Sequence, residues 1–425
     1  MSEDGPPAGW LAGHVAPLRG EGRGWVLLTV AGGWFATLGL RYVIPGLLPR
    51  IKDTFGISNA AAGVAVTVIW LTYAGMQLPA GALIGRIGER ILLTVSLLVA
   101  GASLLLFGIL PTYALFLVTA TLFGLATGLF GPPRGTVLSN TFRANDGAAF
   151  GATLAAGSIG AAVLPFVATT ASSRLDGSFG SLAGWQLALA GFAPLFLALA
   201  VGIWWAVPGR NDRAADQPTD TSGCDNPAPD GGRTATVLGA ATQRPVVVAA
   251  LGGAIMLFTF QGLSAFYTTY LVEQKGISTA TAGALFALLF VAGAICQSAA
   301  GRAADQYGHS RVLTGIAILG IPPLIALPLV DGRLALAALT IPLGLRLAMG
   351  PVLNAYVISV LPSAVEGTAW GLVRTCFFAV GSLGSVAVGA VADLHFDAAI
   401  YGLAVLTVPA IAIFWYLPDC DAVAG

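Results

Sequence analysis

Apolar residues run in unbroken blocks along this chain, each about as long as the roughly 20 residues a helix needs to cross a bilayer core. The blocks fall at 25–49, 59–84, 91–110, 113–141, 148–171 and 184–207, then at 245–272, 280–300, 312–330, 334–361, 368–392 and 398–417. Short polar breaks separate them, and one long break, 208–243, divides six from six. The pattern predicts an all-α, polytopic membrane protein with twelve transmembrane helices as two six-helix halves, 25–207 and 244–417. The tails, 1–24 and 418–425, carry too little apolar sequence for a domain. The break at 208–243 is rich in aspartate, proline and arginine, and its composition predicts a disordered, solvated linker.

Composition agrees. Charged residues make up 9% of the 425 residues and hydrophobic ones 56%, far from the roughly 25% charged that lets a soluble globule cover its surface. The 20 basic and 20 acidic residues cancel, so nothing points to nucleic acid. The four cysteines and three histidines are scattered without metal-ligand spacing. No cofactor, catalytic constellation or metal site is expected, and an enzyme is excluded on that basis.

The two halves repeat. Gly56-Ile-Ser-Asn-Ala-Ala-Ala-Gly63 returns as Gly276-Ile-Ser-Thr-Ala-Thr-Ala-Gly283, and Asp146-Gly-Ala-Ala-Phe-Gly151 as Glu366-Gly-Thr-Ala-Trp-Gly371. Gly81 and Gly88 answer Gly301 and Gly308 at the same offset. Parallel repeats of six helices, related by an axis along the membrane normal, follow from the constant spacing.

The loop after the second block reads Gly81-Ala-Leu-Ile-Gly85-Arg86-Ile-Gly88-Glu-Arg90, and its counterpart Gly301-Arg-Ala-Ala-Asp305-Gln-Tyr-Gly308. This resembles the Gly-x-x-x-Asp-Arg-x-Gly-x-Arg loop of the major facilitator superfamily of secondary transporters, over essentially 25–417. The resemblance implies transport by alternating access, with this loop latching the cytoplasmic side. The family's aspartate is replaced by Gly85 in the first half and survives as Asp305, so the first latch rests on Arg86 and Arg90. Ala120 and Thr121 stand where the family usually has an arginine in its fourth helix.

Arginine and lysine placement sets the orientation. With the N-terminus in the cytoplasm, Arg19, Arg23, Arg86, Arg90, Arg143, Arg210, Arg213, Arg233, Arg244, Arg302 and Arg311 lie inside, against Arg50, Lys52, Arg174, Lys275 and Arg333 outside. A multi-pass protein of the plasma membrane with both termini cytoplasmic is expected.

Four arginines remain within apolar blocks: Arg41, Arg134, Arg346 and Arg374. No carboxylate stands in a block interior to neutralise them. A guanidinium stays protonated and its planar fork suits carboxylate or phosphate oxygens. Arg41 and Arg346 lie deepest and are expected to contact a solute, with Tyr73, Gln77, Gln261, Tyr267 and Asn354 as further polar groups. Gln261 occupies the position equivalent to Arg41 in the second half. Arg134 and Arg374 lie nearer the cytoplasmic face and are expected to act at the gate with Asp305 or Glu366. The stretch Arg41-Tyr-Val-Ile-Pro-Gly-Leu-Leu-Pro49 resembles the first helix of organophosphate antiporters and organic-anion symporters. Phe260 and Gln261 replace the second arginine of the antiporters.

These features favour a secondary active or facilitative transporter of a small anionic solute: a carboxylate, a phosphorylated compound or an inorganic anion. The lipid bilayer and that solute are the expected partners. Efflux of hydrophobic or cationic compounds is the alternative, and a transport-dead sensor is less favoured. Sequence leaves the solute, the direction of transport, the coupling ion and the oligomeric state open.

Overall fold

The computed structural model describes residues 23–142, 145–178, 182–209, 230–362 and 366–418. Twelve of its helical runs are long and apolar enough to cross a membrane: Arg23–Phe55, Asn59–Ile87, Glu89–Phe107, Tyr113–Thr141, Gly147–Leu175 and Gly184–Ala206 in one half, then Arg244–Glu273, Thr279–Tyr307, His309–Leu329, Arg333–Val360, Thr368–Ala392 and Phe396–Trp415. They are spans 1 to 12. The described residues contain no strand.

Several spans outrun their apolar blocks because polar caps lie beyond them. Span 2 begins at Asn59 because the Ser58 hydroxyl accepts from Ala61 N–H, and span 8 at Thr279 because Ser278 accepts from Thr281 N–H, both at 3.3 Å. Gly88 and Gly308 end spans 2 and 8 with φ of 88° and 89° and ψ of 152° and 147°. That region of backbone space is essentially open to glycine alone, which explains why the loop motif keeps these two glycines in both halves.

Three spans are interrupted where the sequence suggested continuous helices. Span 6 breaks between Ala190 and Ala193, with Pro194 in the restarted first turn. Span 9 breaks at Gly320, ahead of Pro322 and Pro323. Span 10 tightens into a 3-10 turn over Gly344–Ala348, just after Pro342. Proline removes a backbone donor and crowds the preceding turn, so helices yield at these points.

Part of the linker also departs from expectation. Asp230–Ala241 is helical and packs on span 11, where composition predicted a solvated coil. Val237, Ala240 and Ala241 carry that packing, joining the core of the second half with helical spacing. Residues 210–229, including Cys224, lie outside the described residues, as do the tails 1–22 and 419–425.

Within the first half, span 1 packs on span 5 and span 2 on span 4; within the second, span 7 packs on spans 11 and 12. Between halves, span 2 packs on span 11 and span 5 on span 8, the same contact repeated about the pseudo-twofold axis. Gly63 and Gly283, the last residues of the repeated motif, sit in these two contacts, each too close to the opposite half to admit a Cβ.

The cross-half polar contacts gather toward the end of the bundle away from the termini. Asp393 accepts from Asn59 and Ala60 N–H at 2.7 and 2.9 Å. Lys52 donates to Glu273 at 2.5 Å and also to Asn59. Thr67 bonds Ser382 O and Val386 N, and Thr268 donates to Pro45 O. Toward the termini, Gly75, Gly81, Gly85, Gly151, Gly301 and Gly371 face open space. The polar contacts hold the two halves together at the end of the bundle away from the termini.

Candidate functional site

Trp34 and Arg41 lie two turns apart on one face of span 1, and Trp70, Tyr73 and Gln77 share a face of span 2 at the same helical spacing. Folding brings the two faces together. The Arg41 guanidinium carbon lies 3.9 Å from the centre of the Tyr73 ring, 4.7 Å from Trp70 and 5.4 Å from Trp34. Its Nε donates to Thr37 O one turn back, at 3.2 Å. Its two terminal nitrogens are buried without a hydrogen bond of ordinary geometry, with the Tyr73 side chain close enough to interact with the guanidinium.

Arg134, from span 4, lies over the same Trp34 ring with its guanidinium carbon 3.9 Å from the centre. Its Nε and Nη1 are also buried without a partner. Span 11 adds Arg374, 5.4 Å from the centre of Phe378. Phe378 stacks on Trp70 at 6.2 Å and meets Tyr73 edge-on at 5.8 Å. Arg41, Arg134 and Arg374 thus stand within electrostatic reach of one another. Burial is graded: Arg41 is 1% exposed and Arg134 7%, whereas Gln77 and Arg374 are half-buried.

Burying an ion costs several kcal/mol even after relaxation. Each desolvated cation–π contact returns about 2 kcal/mol, so the aromatic cage of Arg41 offsets much of the cost but leaves its hydrogen-bonding capacity unmet. The neighbouring unmatched atoms are mainly donors too: the indole N–H groups of Trp34 and Trp70 and the Nε2 of Gln77. Among the described residues no carboxylate pairs with Arg41 or Arg134. A cluster of this composition can hold a ligand that brings acceptors and negative charge.

The pattern of the whole chain decides the family. The sequence matches the family model of the Major Facilitator Superfamily over residues 29–385 and again over 249–422. The chain belongs to the Major Facilitator Superfamily. It is 24% identical over 355 residues to an uncharacterised MFS-type transporter of Bacillus subtilis (strain 168), YfnC, covering 83% of each chain. Its fold is similar to that of a bacterial homologue of the human lysosomal transporter Spinster, in an inward-facing and unoccupied conformation. There the TM-score is 0.78 and the identity 15%, covering 94% of this chain and 97% of the other. The nucleoside transporter NupG, in a variant form, gives a TM-score of 0.74 at 14% identity, covering 92% and 99%. This superfamily member is therefore a multi-pass membrane transporter and not an enzyme.

Not every residue expected at the site comes together. Arg41, Tyr73 and Gln77 do. Arg346, on the 3-10 turn of span 10, lies in a separate group: its Nη2 donates to Thr259 and to Thr407 at 3.2 Å, and its Nη1 to Gly320 O at 3.5 Å. It is 1% exposed and ties span 10 to spans 7, 9 and 12. The Tyr267 hydroxyl is engaged with Thr340 of span 10. Gln261 is buried with both amide atoms unpartnered, and Asn354 is half-buried. Asn354 stands 220 residues after Arg134, as Gln261 does after Arg41, so these two site arginines each have an amide as counterpart, whereas Arg374 answers Leu154.

In the superfamily loop, Arg90 stacks over Trp204 with its guanidinium carbon 4.2 Å from the ring centre, and Arg86 also has an interaction partner. Asp305 is exposed. The side chain of Glu366, expected to pair with Arg134 or Arg374, lies outside the described residues. Arg134 lies over Trp34.

The aromatic cage escapes a search for polar residues. Trp34, Trp70 and Phe378 are site residues that charge accounting passes over. The spacing signal exists: a tryptophan two turns before Arg41, and another one turn before Tyr73.

Proposed function

We propose that this superfamily transporter moves a small anionic solute through the plasma membrane by rocking of its two halves around Arg41 and Arg134. The observation that carries this reading is the buried pair of guanidinium groups with unpartnered nitrogens and, among the described residues, no carboxylate to neutralise them. A solute anion would supply both the charge and the acceptors. A cationic solute would instead meet three like charges within electrostatic reach, which disfavours export of cationic compounds.

The arginine asymmetry of the loops supports placing both termini and the linker in the cytoplasm. On that orientation the closed end, built from Lys52, Glu273, Asn59 and Asp393, faces outward. The opposite end, toward which the half-buried Gln77 and Arg374 lie, faces the cytoplasm. The arrangement is then an inward-facing one, with the solute site reached from inside.

Uptake of labelled carboxylates, phosphate esters and inorganic anions into proteoliposomes tests the reading. Transport of at least one anion is expected, and its loss on Arg41→Gln with folding intact. Transport confined to neutral or cationic solutes, unaffected by Arg41→Gln, overturns it.

A further inference from the structure

Two cations, not one, lie unneutralised at the bottom of this site. Arg41 and Arg134 are both more than nine-tenths buried, both stack on Trp34, and both have guanidinium nitrogens without a hydrogen bond of ordinary geometry. Arg374 differs, being half-buried at the mouth. One negative charge would neutralise one of the buried pair and leave the other within the same low-dielectric pocket, at a cost of several kcal/mol. The donor geometry agrees: the guanidinium carbons of Arg41 and Arg134 lie 5.4 and 3.9 Å from the centre of one indole ring, whose own N–H is also unpartnered. A ligand satisfying both forks must present acceptor oxygens to each of them.

From the charge and donor count we infer that the transported solute is a divalent oxyanion, one negative charge for each buried guanidinium, with a small carbon body against Trp34, Trp70 and Tyr73. The inference rests on the anion reading above and narrows it. Two ligand chemistries share this character: a phosphate monoester, with both charges on one group, and a short dicarboxylate, with one charge at each end. Arg41 holds the deeper charge and Arg134 the shallower one.

Equilibrium binding to the purified full-length protein, read by displacement or heat, tests this with two matched pairs at neutral pH. Methyl phosphate is compared with dimethyl phosphate, and succinate with its monomethyl ester. Within at least one pair the dianion should bind about tenfold or more tightly, as expected for one further ionic hydrogen-bonded contact. The pair that discriminates identifies which chemistry is transported. In Arg134→Gln that preference should contract toward parity while residual binding of the monoanion persists.

Equal binding of both members in each pair, with Arg41→Gln weakening all of them, overturns the divalent assignment and leaves the anion reading standing. A preference undiminished in a folded Arg134→Gln protein also overturns it. If neither member of either pair binds, the divalent assignment falls together with the reading it rests on. The wild-type comparison needs no variant, so a misfolded Arg134→Gln protein does not shelter the inference.

Discussion

A Cβ placed on Gly63 of span 2 would lie 2.4 Å from the carbonyl oxygen of Ser385 in span 11. Backbone meets backbone there, across the two halves, so no side chain can move aside. Gly63→Ala must open this contact. Overpacking of this kind costs about 1–3 kcal/mol, enough to shift a two-state equilibrium roughly 5- to 150-fold. Spin labels on the outer ends of spans 2 and 11 should therefore move apart in the Gly63→Ala protein. Gly283→Ala should act more weakly, because its obstacles, the Thr169 hydroxyl at 2.1 Å and Cβ at 2.9 Å, belong to one side chain and not to the backbone. Gly81→Ala, facing open space, is the control. Unchanged distances in Gly63→Ala would show that this contact does not govern closure.

Asp393 should make the same closure independent of pH across the physiological range. Burial alone would raise its carboxyl, but the N–H groups of Ala60 and Asn59, the Ser58 hydroxyl and nearby Lys52 outweigh that and hold it below the usual value. A depressed folded value means that its contribution is complete above the unfolded aspartate value of about 3.9 and is lost only as pH falls through the still lower folded one. Label distances should therefore stay constant between about pH 5 and pH 8. Asp393→Asn, which cannot present two anionic acceptors to the start of span 2, should widen them at every pH in that window. A wild-type distance that changes near neutrality would assign the pH response to another group.

Thiol chemistry checks the orientation. Cys224 lies in the segment between the halves, so on the proposed topology an impermeant maleimide should leave it unmodified in right-side-out vesicles until they are permeabilised. Cys296, Cys376 and Cys420 are replaced first to isolate the signal. Prompt modification of intact vesicles would reverse the assignment, and with it the statement that the closed end faces outward.

Much of the architecture was legible because bilayer thickness imposes a length on apolar runs and because the halves repeat with a constant offset. The repeated Gly-Ile-Ser motif reported symmetry, and the structure adds its physical purpose: a turn at Gly56 and Gly276, a serine cap, then a glycine at the cross-half contact. What hydrophobicity could not convey was continuity. Gly320, Pro342 and Gly344 interrupt spans 9 and 10 without breaking their apolar pattern. The site was legible in part. Arg41 stood out because unneutralised charge within an apolar run is conspicuous, and Tyr73 and Gln77 because they are polar groups within apolar runs; the structure places all three on facing stretches of spans 1 and 2. The contact of Arg134 with Trp34 was not legible, since distance along a helix says little about which neighbour a long side chain reaches. Trp34 and Trp70 were hidden among other apolar residues, and their role emerges only when spans 1, 2 and 4 are brought together.

Arg41 and Arg346 are equally buried, and their surroundings predict opposite consequences when each becomes glutamine. Arg346 donates to Thr259, Thr407 and Gly320 O, joining four spans. Hydrogen bonds from a charged group contribute about 1.5–3 kcal/mol each. Arg346→Gln should therefore lower the melting temperature by several degrees, while substrate affinity in the folded fraction stays near that of the wild type. Arg41 makes one bond to its own helix and leaves two nitrogens unmatched. Removing an uncompensated buried charge relieves an unfavourable burial, so Arg41→Gln should leave the empty protein as stable as the wild type, or more so. Its anion affinity should fall by roughly 10- to 150-fold, the equivalent of one lost ionic hydrogen bond. Arg41→Lys should recover part of the loss, because it restores the charge without the planar fork. Melting curves with and without ligand, recorded for both glutamine variants, separate the two roles. A destabilised Arg41→Gln protein with undiminished ligand-induced stabilisation would make Arg41 a structural residue and remove the anchor of the proposed function.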